Sequence, residues 1–483
     1  MSTDPVSADP ADDPTPTLPP SRGVFCNRTL NLRGVRAIGY DMDYTLIHYF
    51  VEEWERAAFE HARGVLMAQG WPVEDLTFDP TAYTLGLTFD LDLGNLVKST
   101  RFGYAVRAQH GSNVLSFREL RDNYYGTVVE LGEDRFEFMN TLFELSRASL
   151  WCQLVELHDR SPLPGIASYA VLYRAIDLAL GTVHTDGSLK AAIVAEPERF
   201  VDLDPGLVPT LRDQRLAGKQ LLLVTNSEWN YTQFMMTWAF DRFMPEGQTW
   251  RDLFDIVIVA AAKPRFFAEA GPIYRVVDEQ RGLLEPHLGP LESGTVYHGG
   301  NAHMVEESLG HDPSQFLYVG DHLFGDVHVT KDTLRWRTAL IARELEAEVD
   351  AADEFRTQNH QLRDMMAEKI DLERSHSRLR MARRHLVVAE EPHAEIDAAV
   401  EAAAAAVAEI DERIAPLARA STEQGNEAWG PLMRAGVDKS LFARQVEKYA
   451  DVYTSRVSNF RAETPYGYLR AARGTLPHDA ATP

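Results

Sequence analysis

Four polar clusters carry the residue types from which phosphoryl transfer can be assembled. The densest is Asp41-Met42-Asp43-Tyr44-Thr45. Two carboxylates two residues apart can turn toward one site once the backbone bends. One can attack phosphorus and form an aspartyl-phosphate. The other can protonate the leaving oxygen and then deprotonate the attacking water. Standing alone, the pattern also reads as a solvated acidic turn. Thr225-Asn226-Ser227 offers hydroxyls and, where a helix opens, unpaired N–H groups and a dipole that favour an anion. The same tripeptide also serves as an ordinary N-cap. Lys263, followed by Pro264, can neutralise a phosphoryl oxygen, although a single lysine is by default a surface residue. Gly320-Asp321-His322-Leu323-Phe324-Gly325-Asp326 adds two acids beside glycines that permit tight turning. Such oxygens suit Mg²⁺, with Asp321 as the better ligand and Asp326 orienting a bound water or Lys263. His322 and His328 have no companions at zinc spacing.

Each cluster follows a short apolar run: VRAIGY (35–40), QLLLV (220–224), FDIVIVA (254–260) and FLYVG (316–320). WRTALIA (336–342) is a fifth run of this kind. Runs so short and β-branched suit buried parallel strands, although periodicity alone does not separate them from buried helix. Helical stretches, PTLRDQRLAG and YTQFMMTWAF, lie beside them. Strands alternating with helices predict a doubly wound α/β sheet, with ligands at the carboxyl ends of its strands. The predicted core is 23–51 with 201–343. Residues 52–200 interrupt it at far more than crossover length and must form an inserted α/β cap. Residues 344–420 differ again. Ile396, Val400, Ala403, Val407, Ile410, Ile414 and Leu417 alternate at spacings of four and three. Upstream, Met365, Leu372, Leu379 and Leu386 repeat every seven, with Lys369, His376 and Arg383 between them. Two seams broken by EEPH at 390–393 predict a helical hairpin, either a projecting arm or helices packed on their own domain. Residues 421–473 are expected to form a C-terminal helical segment on the core. The tails, 1–22 and 474–483, are expected to be disordered.

The 483 residues include 72 acidic and 48 basic ones, a formal net charge of −24. That balance argues against nucleic-acid and anionic-membrane partners, which need clustered Lys and Arg. Cys26 and Cys152 are too few for a disulfide framework. The start, MSTDPVSADPADDP, lacks a basic region followed by an apolar one, and no run reaches membrane-spanning length. A cytoplasmic protein is the expectation.

Acid pair, Thr, Lys and acid pair, in that order on an α/β sheet, resembles the haloacid dehalogenase (HAD) superfamily. DMDYTLIHY, TNSEWNYT, KPRFF and YVGDHLFGDV are similar to the cytosolic purine 5′-nucleotidases, which prefer IMP and GMP. VFCNRTLNL, GNLVK, NTLF, VHTDGSLK, SLFARQVEKYADVY and YGYLRAA extend the similarity over about residues 24–476. The resemblance implies a HAD-like doubly wound parallel sheet core with an inserted α/β cap and a C-terminal helical region. It implies Mg²⁺-dependent hydrolysis of nucleoside monophosphates, phosphotransfer to a nucleoside, and a homo-oligomer, dimer or tetramer. Asp41 then corresponds to the nucleophile and Asp43 to the general acid/base, its carbonyl also meeting the metal. Thr225, Asn226, Ser227 and Lys263 correspond to the phosphate site, and Asp321, with Asp326 beside it, to the remaining metal site. Phe143 matches an aromatic that stacks on the base, and Lys190 and His184 match positions beside the nucleotide.

Departures from the family accompany these matches. The family's base-side Arg and Asp fall, without gaps, on Asp177 and Gly181, while Arg174 followed by Asp177 lies about one turn earlier and offers a substitute pair. The family's Asn after the stacking Phe is Glu144. The resembling enzymes also bind an activating nucleotide, commonly ATP, away from the active site. Phe324 and Asn140 match its base end, but its phosphate-side Arg and Lys become Glu130 and Asp332. Loss of ATP activation is therefore expected, unless a small gap brings Arg135 or Lys331 into the role. A HAD phosphatase acting on another phosphomonoester, and a non-catalytic interaction protein presenting the 344–420 arm, are the competing readings.

Overall fold

The computed structural model describes residues 16–472, except Asp186 and Glu423, together with Gly474; the side chains of Leu142, Val183, His184 and Thr185 are not described. The chain forms two compact units, one of Met1–Glu346 with Leu432–Pro483 and one of Ala347–Pro431.

The first unit is organised by a ten-stranded sheet. Its parallel strands are β1 (Ala37–Tyr40), β2 (Gln220–Val224), β3 (Ile256–Val259), β4 (Thr295–Gly299), β5 (Phe316–Gly320), β6 (Arg337–Ile341) and β7 (Val452–Thr454). They lie in the order β7-β6-β5-β1-β2-β3-β4 and are all parallel. Every residue of β1, β3 and β5 is buried, as layers on both faces of a parallel sheet require. The chain runs outward from β1 to β4 and then returns to place β5 on the other side of β1. The switch in direction therefore falls between β1 and β5, where such sheets open a crevice. Gly39 on β1 faces Tyr318 on β5, and a Cβ there would lie 2.8 Å from the ring. That close approach lets Phe267, Tyr318, Phe316 and Trp336 fill one core, with the last two rings stacked at 4.5 Å.

All five apolar runs are strands. Two parallel strands carry no comparable signal. The tail of TVYHG is polar and only half-buried, and β7 is three residues long in the C-terminal segment. The segment 421–473, expected to be helical, holds the helix Leu441–Tyr449 and also contributes strand β7 to the sheet. The expected disorder of 1–22 is corrected at its end. Pro20–Arg22 forms a 3₁₀ turn, Ser21 is buried, and Arg22 donates to Asn459 Oδ1 at 2.8 Å and Ser458 Oγ at 2.6 Å. Residues 1–15, 473 and 475–483 lie outside the described residues.

Between β1 and β2 stand the helices α1 (Val51–Ala68), α2 (Leu145–Arg160) and α3 (Tyr169–Thr185) and a five-stranded antiparallel sheet. Trp54, Glu55, Ala58, Phe59, Ala62 and Leu66 form the buried face of α1 at helical spacing. In the second unit, α4 (Arg356–Val388) and α5 (Ala394–Thr422) make an antiparallel hairpin that turns at 389–393. Ile410 and Ile414 of its seam are buried, and Lys369 reaches Asp411 across it at 2.6 Å. Among the described residues no helix is long and apolar enough to cross a membrane.

Candidate active site

Asp41 caps β1, its N–H donating to Val319 O of β5 at 2.9 Å. The chain then bends sharply. The N–H groups of Leu46 and Ile47 both donate to Met42 O, and Tyr44 takes the left-handed φ of 55°. Such a φ is uncommon outside glycine and is held only where the surroundings enforce it. The bend separates the two carboxylates into two environments.

Asp41 joins an acidic cluster. One carboxylate oxygen each from Asp41, Asp321 and Asp326 lie within 4.8 Å of one another. Asp326 is folded back against the strand end, where a Cβ on Gly320 would sit 2.6 Å from the Asp326 Cβ. Lys263 Nζ bridges Asp41 Oδ1 at 2.7 Å and Asp326 Oδ1 at 2.9 Å, and donates to Tyr318 Oη at 3.2 Å. Burial alone would lower the Lys263 pKa, but the Asp326 and Asp41 charges outweigh it and hold the ammonium well above its ordinary range. Burial pushes Asp41 up to about 6, against the pull of Lys263 and with a further push from Asp326. Asp321 is raised well above the carboxylate range by burial and by the Asp41 and Asp326 charges. Three carboxylates face one ammonium, leaving two negative charges uncompensated when all are ionised. Hard oxygen donors with that excess fit a divalent cation such as Mg²⁺. Asp41, Asp321 and Asp326 are the side chains placed to hold it.

Asp43 turns elsewhere. Tyr49 donates to its Oδ1 at 2.5 Å and Ser227 Oγ to its Oδ2 at 2.7 Å. Both Asp43 carboxylate oxygens are thereby engaged by hydroxyls, outside the Asp41, Asp321 and Asp326 cluster. Lys190 Nζ donates to Ser227 Oγ at 3.1 Å, and the Tyr49 and Tyr231 hydroxyls lie 3.0 Å apart. Burial raises the Asp43 pKa, with Lys190 and Tyr49 opposing it and Asp41 adding to it. A carboxyl so placed can keep its proton until a leaving oxygen needs it.

Thr225 follows β2, and its Oγ1 accepts from Ser227 N at 3.0 Å, ordering the turn before the helix Trp229–Phe240. Asn226 is occupied by the lysine loop. Its Oδ1 accepts from Lys263 N at 2.6 Å and its Nδ2 donates to Lys263 O at 3.1 Å. Asn226 thus clamps the main chain of Lys263, in a loop where Ala260 and Ala262 also have positive φ. Ser227 lies between Lys190 and Asp43, which joins the expected phosphate residues to the acid/base group.

The residues expected around a base divide. The Phe143 ring meets Tyr44 edge-on at 4.7 Å and Trp54 at 5.3 Å, and neighbouring Thr141 Oγ1 lies 3.4 Å from Asp321 Oδ2. Arg174 lies on the outer side of α3. The buried face of α3 carries Leu172, Tyr173, Ile176, Ala179 and Leu180, whereas Arg174 is exposed. Asp177 pairs instead with Arg147 of α2 at 2.8 Å, and Arg147 also donates to Tyr173 Oη at 2.7 Å. Glu144 accepts from Asn140 N at 2.8 Å. His184 closes α3, but its side chain lies outside the described residues. Sequence reasoning missed Tyr49, Tyr231, Tyr318, Thr141 and Arg147. Tyr49 lies eight residues past Asp41, near enough to have been weighed, and the others carry no spacing signal.

A 5′-nucleotidase domain-containing protein of Dictyostelium discoideum is 26% identical over 477 residues, covering 96% of this chain and 76% of that protein. Two solved structures align over 64% of the chain. One is an archaeal β-phosphoglucomutase from Pyrococcus, with 9% identity, 86% of that chain covered and a TM-score of 0.31. The other is a haloacid dehalogenase-like hydrolase from Xanthomonas campestris, with 12% identity, 82% covered and a TM-score of 0.25. The sequence profile of the 5′ nucleotidase family matches residues 24–481, both strand-end acid clusters included, and the chain belongs to that family.

Proposed function

We propose that this protein hydrolyses purine nucleoside 5′-monophosphates of the IMP and GMP type to nucleoside and phosphate. The observation that carries the proposal is the division of labour between the two acids of β1. Asp41 lies against Lys263 beside two further carboxylates, and Asp43 stands apart, half-buried among hydroxyls. In the first step an Asp41 carboxylate oxygen bonds to phosphorus as the P–O5′ bond breaks, and Asp43 gives its proton to O5′. In the second, Asp43 takes a proton from water, whose oxygen bonds to phosphorus while the bond to Asp41 breaks. Lys263 meets phosphoryl charge that Asp41 and Asp326 now balance, while Thr225 and Lys190 hold Ser227 against Asp43. Mg²⁺ held by Asp41, Asp321 and Asp326 would neutralise phosphoryl oxygens and orient the phosphate.

A nucleoside hydroxyl in place of water would give phosphotransfer through the same intermediate. Phe143, set between Tyr44 and Trp54, supports an aromatic substrate over a sugar phosphate. The cytoplasm is the proposed compartment, consistent with Cys26 and Cys152 as free thiols. The test is phosphate release from a panel of purine and pyrimidine nucleoside monophosphates and sugar phosphates, with and without Mg²⁺. Highest kcat/KM on IMP or GMP, lost without Mg²⁺, is expected. Preference for a sugar phosphate would overturn the purine reading, and turnover of none would favour a non-catalytic role.

A further inference from the structure

The two hydroxyls that meet Asp43 are not equivalent. Tyr49 Oη donates to Oδ1 at 2.5 Å and Ser227 Oγ donates to Oδ2 at 2.7 Å. A hydroxyl has a single proton to donate, so each such bond sets the direction of the next. With its proton on Asp43, Tyr49 can only accept at its 3.0 Å contact with Tyr231, which is thereby the donor. Among the described residues Tyr49 is the only hydrogen-bond partner of the Tyr231 hydroxyl. A proton on Asp43 Oδ1 would reverse this chain and leave Tyr231 a buried donor with no acceptor, which is costly. Ser227 can turn without that cost. Its Oγ accepts from Lys190 Nζ at 3.1 Å, and its own proton can leave Oδ2 for a phosphoryl oxygen of the substrate.

Both tyrosines are buried and held from separate elements. Tyr49 belongs to a two-residue strand, His48–Tyr49, paired with Val201–Asp202. Its ring lies 4.4 Å from Trp54 and 5.2 Å from Tyr44. Tyr231 projects from the helix Trp229–Phe240, and the Lys190 ammonium stands 4.8 Å from its ring centroid. A cation over the ring draws electron density from the phenol and strengthens its O–H as a donor. Lys190 thus polarises the far end of the tyrosine chain while it bonds to Ser227 on the other side of Asp43.

We propose that Tyr231 and Tyr49 are positioning residues whose hydrogen-bond chain fixes Asp43 Oδ1 as an acceptor. Oδ2 is then the oxygen that gives its proton to O5′ as the P–O5′ bond breaks and takes a proton from water in the second step. The assignment rests on the reading of Asp43 as the acid of nucleotide hydrolysis. The test compares kcat/KM for the best nucleoside monophosphate with that for its analogue carrying sulfur in place of O5′. The two share base and sugar, kcat/KM reports the path to the first irreversible step, and a thiolate departs without a proton. Tyr49→Phe keeps the ring and should lose roughly 10- to 100-fold on the oxygen ester but less than about 3-fold on the sulfur analogue. Tyr231→Phe leaves Tyr49 in place and should show the same pattern with a loss of roughly 3- to 10-fold on the oxygen ester. A distorted fold or base pocket lowers both substrates by one factor. Equal losses on the two would therefore overturn the positioning role while wild-type turnover leaves the nucleotidase reading standing. Wild-type protein inactive on every nucleoside monophosphate would overturn the nucleotidase reading, and the positioning role with it.

Discussion

Lys263 settles the electrostatics of the site because it touches both Asp41 and Asp326 and is itself buried. Asp41→Asn keeps the shape of the nucleophile but replaces it with an amide, which is a poor nucleophile toward phosphorus. Phosphate release should fall by roughly four orders of magnitude or more, and substantial turnover would rule out the covalent route. Asp43→Asn leaves Asp41 able to attack but removes the base for the second step. With a substrate whose leaving group needs no protonation, phosphorylated protein should accumulate, which acid quench and mass spectrometry would detect. Asp321→Ala should fold and require a higher Mg²⁺ concentration for half-maximal rate, because one of three acidic side chains is lost. Titration curves that overlay wild type would remove Asp321 from the metal site. These acids were legible in the sequence because strand ends project polar residues into one crevice, so order along the chain predicts meeting in space. Tyr49, Tyr231 and Thr141 were not. A hydroxyl among apolar residues has no tell-tale spacing, and only the fold brings Tyr231, 182 positions from Tyr49, into contact.

Between α1 and α2 one carboxyl is placed where its charge is least welcome. Glu55 is buried, and its Oε2 accepts from Ser146 N at 2.7 Å, close to the N-terminus of α2. A helix N-terminus favours the anion by about 1 kcal/mol at most in ordinary settings. Burial is the larger effect and pushes the carboxyl from 4.5 up to about 7, with the Ser146 bonds opposing it. The sign of the linkage follows. Below pH 4.5 both folded and unfolded chains hold the proton, so Glu55 costs nothing. Between 4.5 and about 7 the folded chain keeps a proton that the unfolded chain releases, and stability falls as pH rises. Above that range the full penalty, on the order of 3 kcal/mol, remains. Glu55→Gln retains an acceptor for Ser146 N and removes the charge. The variant should match wild type near pH 4.5 and be more stable by about 1–3 kcal/mol at pH 8 in urea unfolding. A pH-independent difference would show that Glu55 is not held protonated. Its sequence context, EEWERAAFE, reads as an ordinary amphipathic helix, so nothing marked Glu55 as the buried acid. The core strands were legible from their apolar runs, whereas β4 and β7 join the sheet through backbone pairing that polar or very short segments can also make.

At the scale of the whole molecule, the question is whether a chain at −24 can recruit a polyphosphate as an activator. Net charge alone does not decide it, because a Debye length of about 8 Å at physiological salt screens distant acids. The local charges decide. Phe324 lies among Phe138, His328 and Tyr449, at ring separations of 5.9, 5.6 and 6.4 Å, so an aromatic setting exists. At the positions where the resembling enzymes carry phosphate-binding cations, Glu130 is exposed and Asp332 lies 3.0 Å from His328 Nε2. The two cations near enough to stand in are engaged. Arg135 makes paired bonds to Asp90 at 2.8 and 2.7 Å, and Lys331 makes paired bonds to Asp451 at 2.8 and 2.6 Å. Freeing Arg135 takes the cation from Asp90, which is 0% exposed, and freeing Lys331 leaves Asp451, also 0% exposed, with only the longer contacts to Arg337 at 3.6 Å and Arg28 at 4.0 Å. Breaking such a pair typically costs about 3–5 kcal/mol, comparable to the binding energy of a millimolar ligand. ATP should therefore leave the initial rate unchanged at subsaturating IMP and fixed free Mg²⁺. A saturable rise in rate that disappears in Phe324→Ala would show that phosphate groups find cations there after all.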